Sequence, residues 1–244
     1  EVSIFDYALS ATQVTELYGT GSAIGNPMAI TNGRKPVAYY PLGNAAFNGE
    51  FLASNGAEQD FVFDFDGSDD RISIPEFTFS GEFTLSMWVN PEANNNTTYI
   101  LGRWDNNFDN DIKVKNEGDG SSTITLRIGG TTLTFYGYLT NPDGVIPLNA
   151  WSNIVLTRDS SNLITCYVNG VQFSTSTYTN TNTLTLDSIG RVINNSYGWN
   201  GKLSNIAFFD AEVSAVTLYN YGTPPNIASY SNLQGWWELD ASAT

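Results

Sequence analysis

Asp105, Asn106, Asn107, Asp109, Asn110 and Asp111 put oxygen-bearing side chains along one short run, DNNFDND. A hard divalent cation such as calcium takes its ligands from that kind of oxygen-rich spacing. Asp105, Asp109 and Asp111 are the expected metal ligands, for one calcium ion. The run departs from a helix-flanked calcium loop, with Asn110 where glycine would make the turn and Asn116 where a bidentate glutamate belongs. A solvated polar hairpin is the competing reading. Asp66, Asp69 and Asp70 form a second acidic group in FDGSDD, which also reads as a tight turn.

Other chemistries are excluded by composition. Histidine is absent, which removes Ser-His-Asp and Cys-His nucleophilic sites, His-ligated zinc and the commonest general base. Neither a P-loop nor a dinucleotide fingerprint is present. The single cysteine, Cys166, can form no intrachain disulfide, and its alternation with Ile164 and Val168 reads as a small core hydrophobe. Ten basic residues against 25 acidic ones give a formal charge of −15. The basic residues are scattered singly, so nucleic acid is not an expected partner. The acidity serves solubility and suits a hard cation. No apolar run approaches the length of a membrane span, so no membrane insertion is expected.

What remains is recognition. Sugar C–H faces pack on aromatic π faces. Trp104, Tyr136, Tyr138 and Tyr197 lie in or beside polar loops. Trp104, Tyr136 and Tyr197 lead the expected ligand-binding set, with Asn194 and Asn195 as amide hydrogen-bond partners. Shielding of strand ends, or contact with a neighbouring repeat, is the competing role for these rings. Trp88, Trp151, Trp236 and Trp237 read as packing residues.

The elements that position these groups are strands. In FTLSMWVN, Phe83, Leu85, Met87 and Val89 share one face and Thr84, Ser86, Trp88 and Asn90 the other. TITLRI, TLTFYGY, NIVLTR and ITCYVN alternate in the same way, and Asn169-Gly170 between CYV and VQF predicts a type I′ hairpin. Many short strands with such turns predict an all-β fold, a sandwich or jelly roll with one or two short helices. The helices are expected after Ser10 and Ser214 and are closed by Gly19 and Gly222.

An internal repeat sets the expected boundaries. SIFDYALSATQVTELYGTG resembles IAFFDAEVSAVTLYNYGTP, with Asp6 on Asp210 (210 − 6 = 204), and VAYYPLGNA resembles QGWWELDAS, with Tyr40 on Trp237 (237 − 40 = 197). Residues 1–35 are then the C-terminal strand and helix of a preceding repeat plus a linker. Residues 36–222 are a complete domain, and 223–244 are a linker and the first strand of a following repeat. A chain opening on Glu1 without methionine reads as a piece of a longer protein.

The order FDGSDDRISIP, FTLSMWVNP, ILGRWD, WSNIVLTRD, CYVNG, SIGR, WNGKLSNIAFFDAEVSAVTLY resembles the laminin-G-like, concanavalin A-like lectin/glucanase jelly roll. The resemblance implies an all-β, two-sheet antiparallel jelly-roll sandwich in which the first strand (Val37–Leu42) lies beside the last (Leu203–Phe209). It also implies a rim calcium, and a glycan- or protein-binding unit or a spacer in adhesins, fibres and virion proteins. Glucanases of this fold carry three alternating acidic residues on one strand. Here the matching strand offers Ser86, Trp88 and Asn90, and the nearest acidic pair is Asp64 and Asp66. The expectation is therefore not an enzyme. It is an extracellular or virion-surface recognition module within a tandem array, whose partners are a host-surface glycan or protein and neighbouring repeats or subunits. A structural spacer is the alternative, and a glycoside hydrolase the remote one.

Overall fold

The structure, a computed structural model, describes residues 2–5, 7–18, 38–40, 62–92, 97–105, 109–116, 121–137, 145–192 and 197–239. It divides into two units, Glu1–Glu58 and Gln59–Thr244.

In the first unit, β1 (Val2–Ile4) pairs antiparallel with β2 (Ala38–Tyr40), Val2 opposite Tyr40 and Ile4 opposite Ala38. Between them in sequence lies α1 (Ala11–Tyr18). Its first turn is closed reciprocally, as orphan N–H groups require: Gln13 N–H donates to Ser10 Oγ (3.3 Å), and Ser10 N–H donates to Gln13 Oε1 (2.8 Å). Gly19 lies outside the described residues.

The second unit is the jelly roll. Its strands are β3 (Phe63–Asp66), β4 (Ile72–Phe79), β5 (Phe83–Pro91), β6 (Thr97–Gly102), β7 (Asp111–Asn116), β8 (Ser122–Ile128), β9 (Thr131–Gly137), β10 (Ser152–Arg158), β11 (Leu163–Val168), β12 (Val171–Gln172), β13 (Tyr178–Thr179), β14 (Leu184–Ile189), β15 (Asn200–Phe209) and β16 (Leu233–Trp237); α2 (Ala215–Tyr219) precedes β16. A six-stranded sheet runs β4-β14-β6-β7-β8-β9. An eight-stranded sheet runs β12-β11-β10-β5-β15-β16, with β13 also on β11 and β3 also on β15. The alternation read in FTLSMWVN sends Phe83, Leu85, Met87 and Val89 into the space between the sheets. There they meet Ile112, Val114, Ile124, Leu126 and Phe135 from the six-stranded sheet, and Cys166 is buried with them. Asn169 (φ 51°) and Gly170 (φ 77°) both take the positive φ that a type I′ turn demands, joining β11 to β12.

Two expectations need correction. Ala38–Tyr40 pairs with β1, and the edge of β15 expected to receive it pairs with β16, Ile206 opposite Trp237 and Phe208 opposite Gly235. The physical reason is local return of the chain. After β15 the segment carrying α2 crosses the outer face of the eight-stranded sheet, and Leu233 and Trp236 continue its apolar cluster while Trp237 packs on the core. Further, α2 stops at Tyr219, before Gly222: Asn220 (φ 43°) is its left-handed cap, and Ser214 makes no side-chain capping bond.

Candidate functional site

A two-sheet sandwich has two outer faces that could meet a ligand. In the eight-stranded sheet the middle of that face is covered. The outward side of β5 and its neighbours is covered by a second cluster, in which Val155, Ala207 and Phe209 pack against Val213, Ala215, Leu218 and Ile227. Trp88 is 2% exposed and stacks on Tyr219. Ser86 lies under the same cover, accepting from Asn153 Nδ2 at 3.1 Å. Asp64 and Asp66 flank the buried Phe65 on β3. Asp64 pairs with Lys202 (3.6 Å), which also bonds Glu92, and Asp66 Oδ1 accepts from Ser68 N–H (2.7 Å).

The outer face of the six-stranded sheet carries polar and charged groups instead. Because Ile112, Val114, Ile124, Leu126, Leu133 and Phe135 point into the core, the alternate residues point away from it. Across β7, β8 and β9 these form rows: Lys115 opposite Thr123 opposite Tyr136, Lys113 opposite Thr125 opposite Thr134, and Asp111 opposite Arg127 opposite Thr132. Tyr99 on β6 stands opposite Lys113, whose Nζ lies 4.9 Å from the ring centroid. Asp111 is fully buried, with Lys113 Nζ at 3.3 Å and Arg127 Nη1 at 3.5 Å. Burial pushes its carboxyl above the usual range, against the pull of the two cations. Burial also pushes the Lys113 ammonium down, against the pull of Asp111.

The residues expected to bind a ligand fall around this sheet. Tyr136 (47% exposed) stands on edge strand β9, and Tyr197 (54%) precedes β15, its carbonyl accepting from Tyr99 N–H (3.1 Å). Trp104 (37% exposed) follows β6; its N–H donates to Asp187 Oδ1 (2.6 Å), and the Arg71 guanidinium lies 4.1 Å from its ring centroid. The register puts Tyr136 in the row of Thr97 and Lys115, whereas Trp104 follows the other end of β6, beyond Gly102 opposite Asp111. Trp104 and Tyr136 therefore do not form one platform. Asn194 and Asn195 lie outside the described residues, as do Asn106, Asn107 and Tyr138.

The expected calcium trio is not assembled. Asp111 is committed to Lys113 and Arg127, and Asp105 pairs with Arg103 (3.5 Å), which also reaches Glu76 (3.6 Å). Asp109 is exposed, its carbonyl accepting from Gly130 N–H. At the described end of the run, Arg103 N–H donates to the Asn110 carbonyl, and Gly129 N–H donates to Asn110 Oδ1. Among the described residues, the carboxylates that do converge are Asp66, Asp69 and Asp70, all exposed, with one oxygen of each within 4.8 Å of the others. Their donor set of hard oxygens fits calcium. Asp70 Oδ2 also accepts from Asp66 N–H (2.9 Å), so the same carboxylates close their own turn.

Sequence reasoning passed over Lys113, Lys115, Arg127 and Tyr99. The alternation in DIKVKN puts Asp111, Lys113 and Lys115 on one side. The position of Arg127 opposite Asp111 depends on the β7–β8 register, which no local pattern states.

A search of curated proteins finds no match to this chain. Among solved structures, the chain is similar to a candidate carbohydrate-binding protein from Bacteroides ovatus ATCC 8483 (TM-score 0.56, 19% identity, 71% of this chain and 50% of that one). It is also similar to the enzymatically active domain of tailspike protein 2 of bacteriophage CBA120 (TM-score 0.52, 12% identity, 70% and 28%). A weaker likeness is to a heptameric SAP-like pentraxin from Limulus polyphemus (TM-score 0.48, 16% identity, 64% and 78%). No described helix is long and apolar enough to cross a membrane. The Laminin_G_3 model matches residues 66–217, more than half the chain and nearly all of the sandwich just described, so the chain belongs to that family of the concanavalin A-like lectin/glucanases superfamily.

Proposed function

We propose that this chain is a non-catalytic glycan-recognition module, displayed outside the cell or on a virion surface, that holds a host-surface glycan or glycoprotein on the six-stranded sheet. The observation that carries the reading is the asymmetry of the two outer faces. A family that contains both lectins and glucanases admits either activity, but the strand matching the glucanase carboxylates has Ser86 and Trp88 buried, Ser86 bonded to Asn153 and Trp88 stacked on Tyr219 of α2. The other face offers a ring at Tyr136 in line with Thr123 and Lys115, and further donors at Lys113, Thr125 and Arg127. Hydroxyl and cationic donors suit the hydroxyl and carboxylate oxygens of sugars, and the ring supplies the stacking surface. Trp104 and Tyr197 serve as separate contacts at the margin. A hard cation such as calcium belongs, in this reading, to Asp66, Asp69 and Asp70 rather than to Asp105, Asp109 and Asp111.

The test is a glycan array probed with the full chain and with Tyr136→Ala, Lys115→Ala, Trp104→Ala and Tyr197→Ala. Loss of the bound class, tenfold or more, in Tyr136→Ala and Lys115→Ala with unchanged melting supports the site. Retained binding in both rejects it.

A further inference from the structure

The two strand pairs at the ends of the chain have one register. Placing Val2, Ser3 and Ile4 on Ile206, Ala207 and Phe208 is the 204-residue offset of the repeat; placing Ala38, Tyr39 and Tyr40 on Gly235, Trp236 and Trp237 is the 197-residue offset. Under those offsets all three pairs of β1 with β2 fall on pairs of β15 with β16: Val2–Tyr40 on Ile206–Trp237, Ser3–Tyr39 on Ala207–Trp236, and Ile4–Ala38 on Phe208–Gly235. The helices obey the same offset, Ser10 before α1 matching Ser214 before α2. Sequence likeness alone does not fix which strand pairs with which, so the agreement is an independent observation.

In the jelly roll, β15 has a partner on each edge. One edge takes β16, and the other takes β5, with Ala207 opposite Ser86, Phe208 opposite Leu85 and Phe209 opposite Thr84. Among the described residues, β1 pairs with β2 alone. We infer that β1, α1 and β2 are the closing strand, helix and strand of a preceding copy of this module, and that the open edge of β1 receives that copy's equivalent of Phe83–Val89. The occupant is strand addition by a second copy, using an interface already built once in this chain. The module boundary then falls between Tyr40 and Phe63, and each module is closed by a strand lying beyond its own helix. The residues 36–222 expected to form one unit are thus split between two.

Two measurements test this. In the full chain, Trp237→Ala should lower the melting temperature of the jelly roll by about 5 °C or more, and Tyr40→Ala should leave it unchanged. A fall with Tyr40→Ala and none with Trp237→Ala overturns the boundary. Second, a copy of residues 59–204 fused ahead of Glu1, which stands at the position of Asn205 under the 204-residue offset, should form a second sandwich with Val2–Ile4 as its closing strand. Hydrogen exchange at the Val2–Ile4 and Ala38–Tyr40 amides should slow at least a hundredfold relative to the unfused chain. Unchanged exchange, with the downstream jelly roll intact, overturns the inference.

Discussion

Trp88 and Tyr219 stack face to face, ring centroids 5.9 Å apart and planes 22° from parallel, and so clamp α2 onto the outward side of β5. Stacked pairs add about 0.5–1.5 kcal/mol beyond their burial. Tyr219→Ala should therefore cost about 2 kcal/mol in urea unfolding, counting the lost packing as well. Glycan binding on the opposite sheet should be unchanged. Loss of binding without loss of stability would place the ligand on the wrong face.

Arg158 ends β10 with its guanidinium fully buried, its Nη1 donating to the Asn182 carbonyl (2.6 Å), Nη2 to Phe79 (3.0 Å) and Nε to Gly81. One side chain thereby ties the β4–β5 turn to the entry of β14. Arg158→Met keeps the bulk but orphans those acceptors, and roughly 3–5 kcal/mol of stability should go with it. A cost under about 1 kcal/mol would mean that water replaces the guanidinium without penalty.

Asp111 predicts a pH trend. Burial holds its folded-state pKa above the usual carboxylate value of 3.8, so its contribution to stability is fullest below that value and declines as pH rises through the folded-state pKa. Asp111→Asn removes the titration. The stability of the wild type relative to the variant should therefore fall as pH rises above the usual carboxylate value of 3.8, measured by urea unfolding at each pH. A difference that grows with pH would show the two cations outweighing burial.

Calcium separates the two acidic groups. Binding to the folded state raises melting by mass action, about 2.7 kcal/mol at a hundredfold excess over Kd. Millimolar calcium should raise the melting temperature of the wild type and of Asp109→Asn alike, and should fail to raise that of Asp69→Asn/Asp70→Asn. No response in the wild type would sink the Asp66–Asp70 assignment.

Much of the fold was legible because period-2 alternation is a local signal: one face of FTLSMWVN is the core face, and Asn169-Gly170 makes the turn its chemistry requires. Local polarity also located exposed rings at Trp104, Tyr136 and Tyr197. What was not legible was long-range. Residues 37–42 and 233–237 are alike, so either could fill the slot beside β15, and only the pairing decides. Nothing local in VLTRD marks Arg158 as buried; the β4–β5 turn and Asn182, distant in sequence, supply the carbonyls that hold it. The oxygen-rich run at 105–111 has calcium-loop composition, yet β8 delivers Arg127 against Asp111 and turns a ligand into an ion-pair partner.

The edge of β15 is shared end to end. Phe63 stands opposite Leu203, and Trp237 stands opposite Ile206, so the strand that enters the jelly roll and the strand that leaves it meet about 10 Å apart along one rail. A domain that starts and finishes at one point hangs from its polypeptide as a pendant. Each added copy would lengthen the thread by little more than its linker while adding a whole sheet face to the display. Tension on the thread would pull both ends from the same spot, peeling β3 and β16 bond by bond rather than shearing a full ladder at once. Such an architecture would multiply sheet faces and contribute little reach.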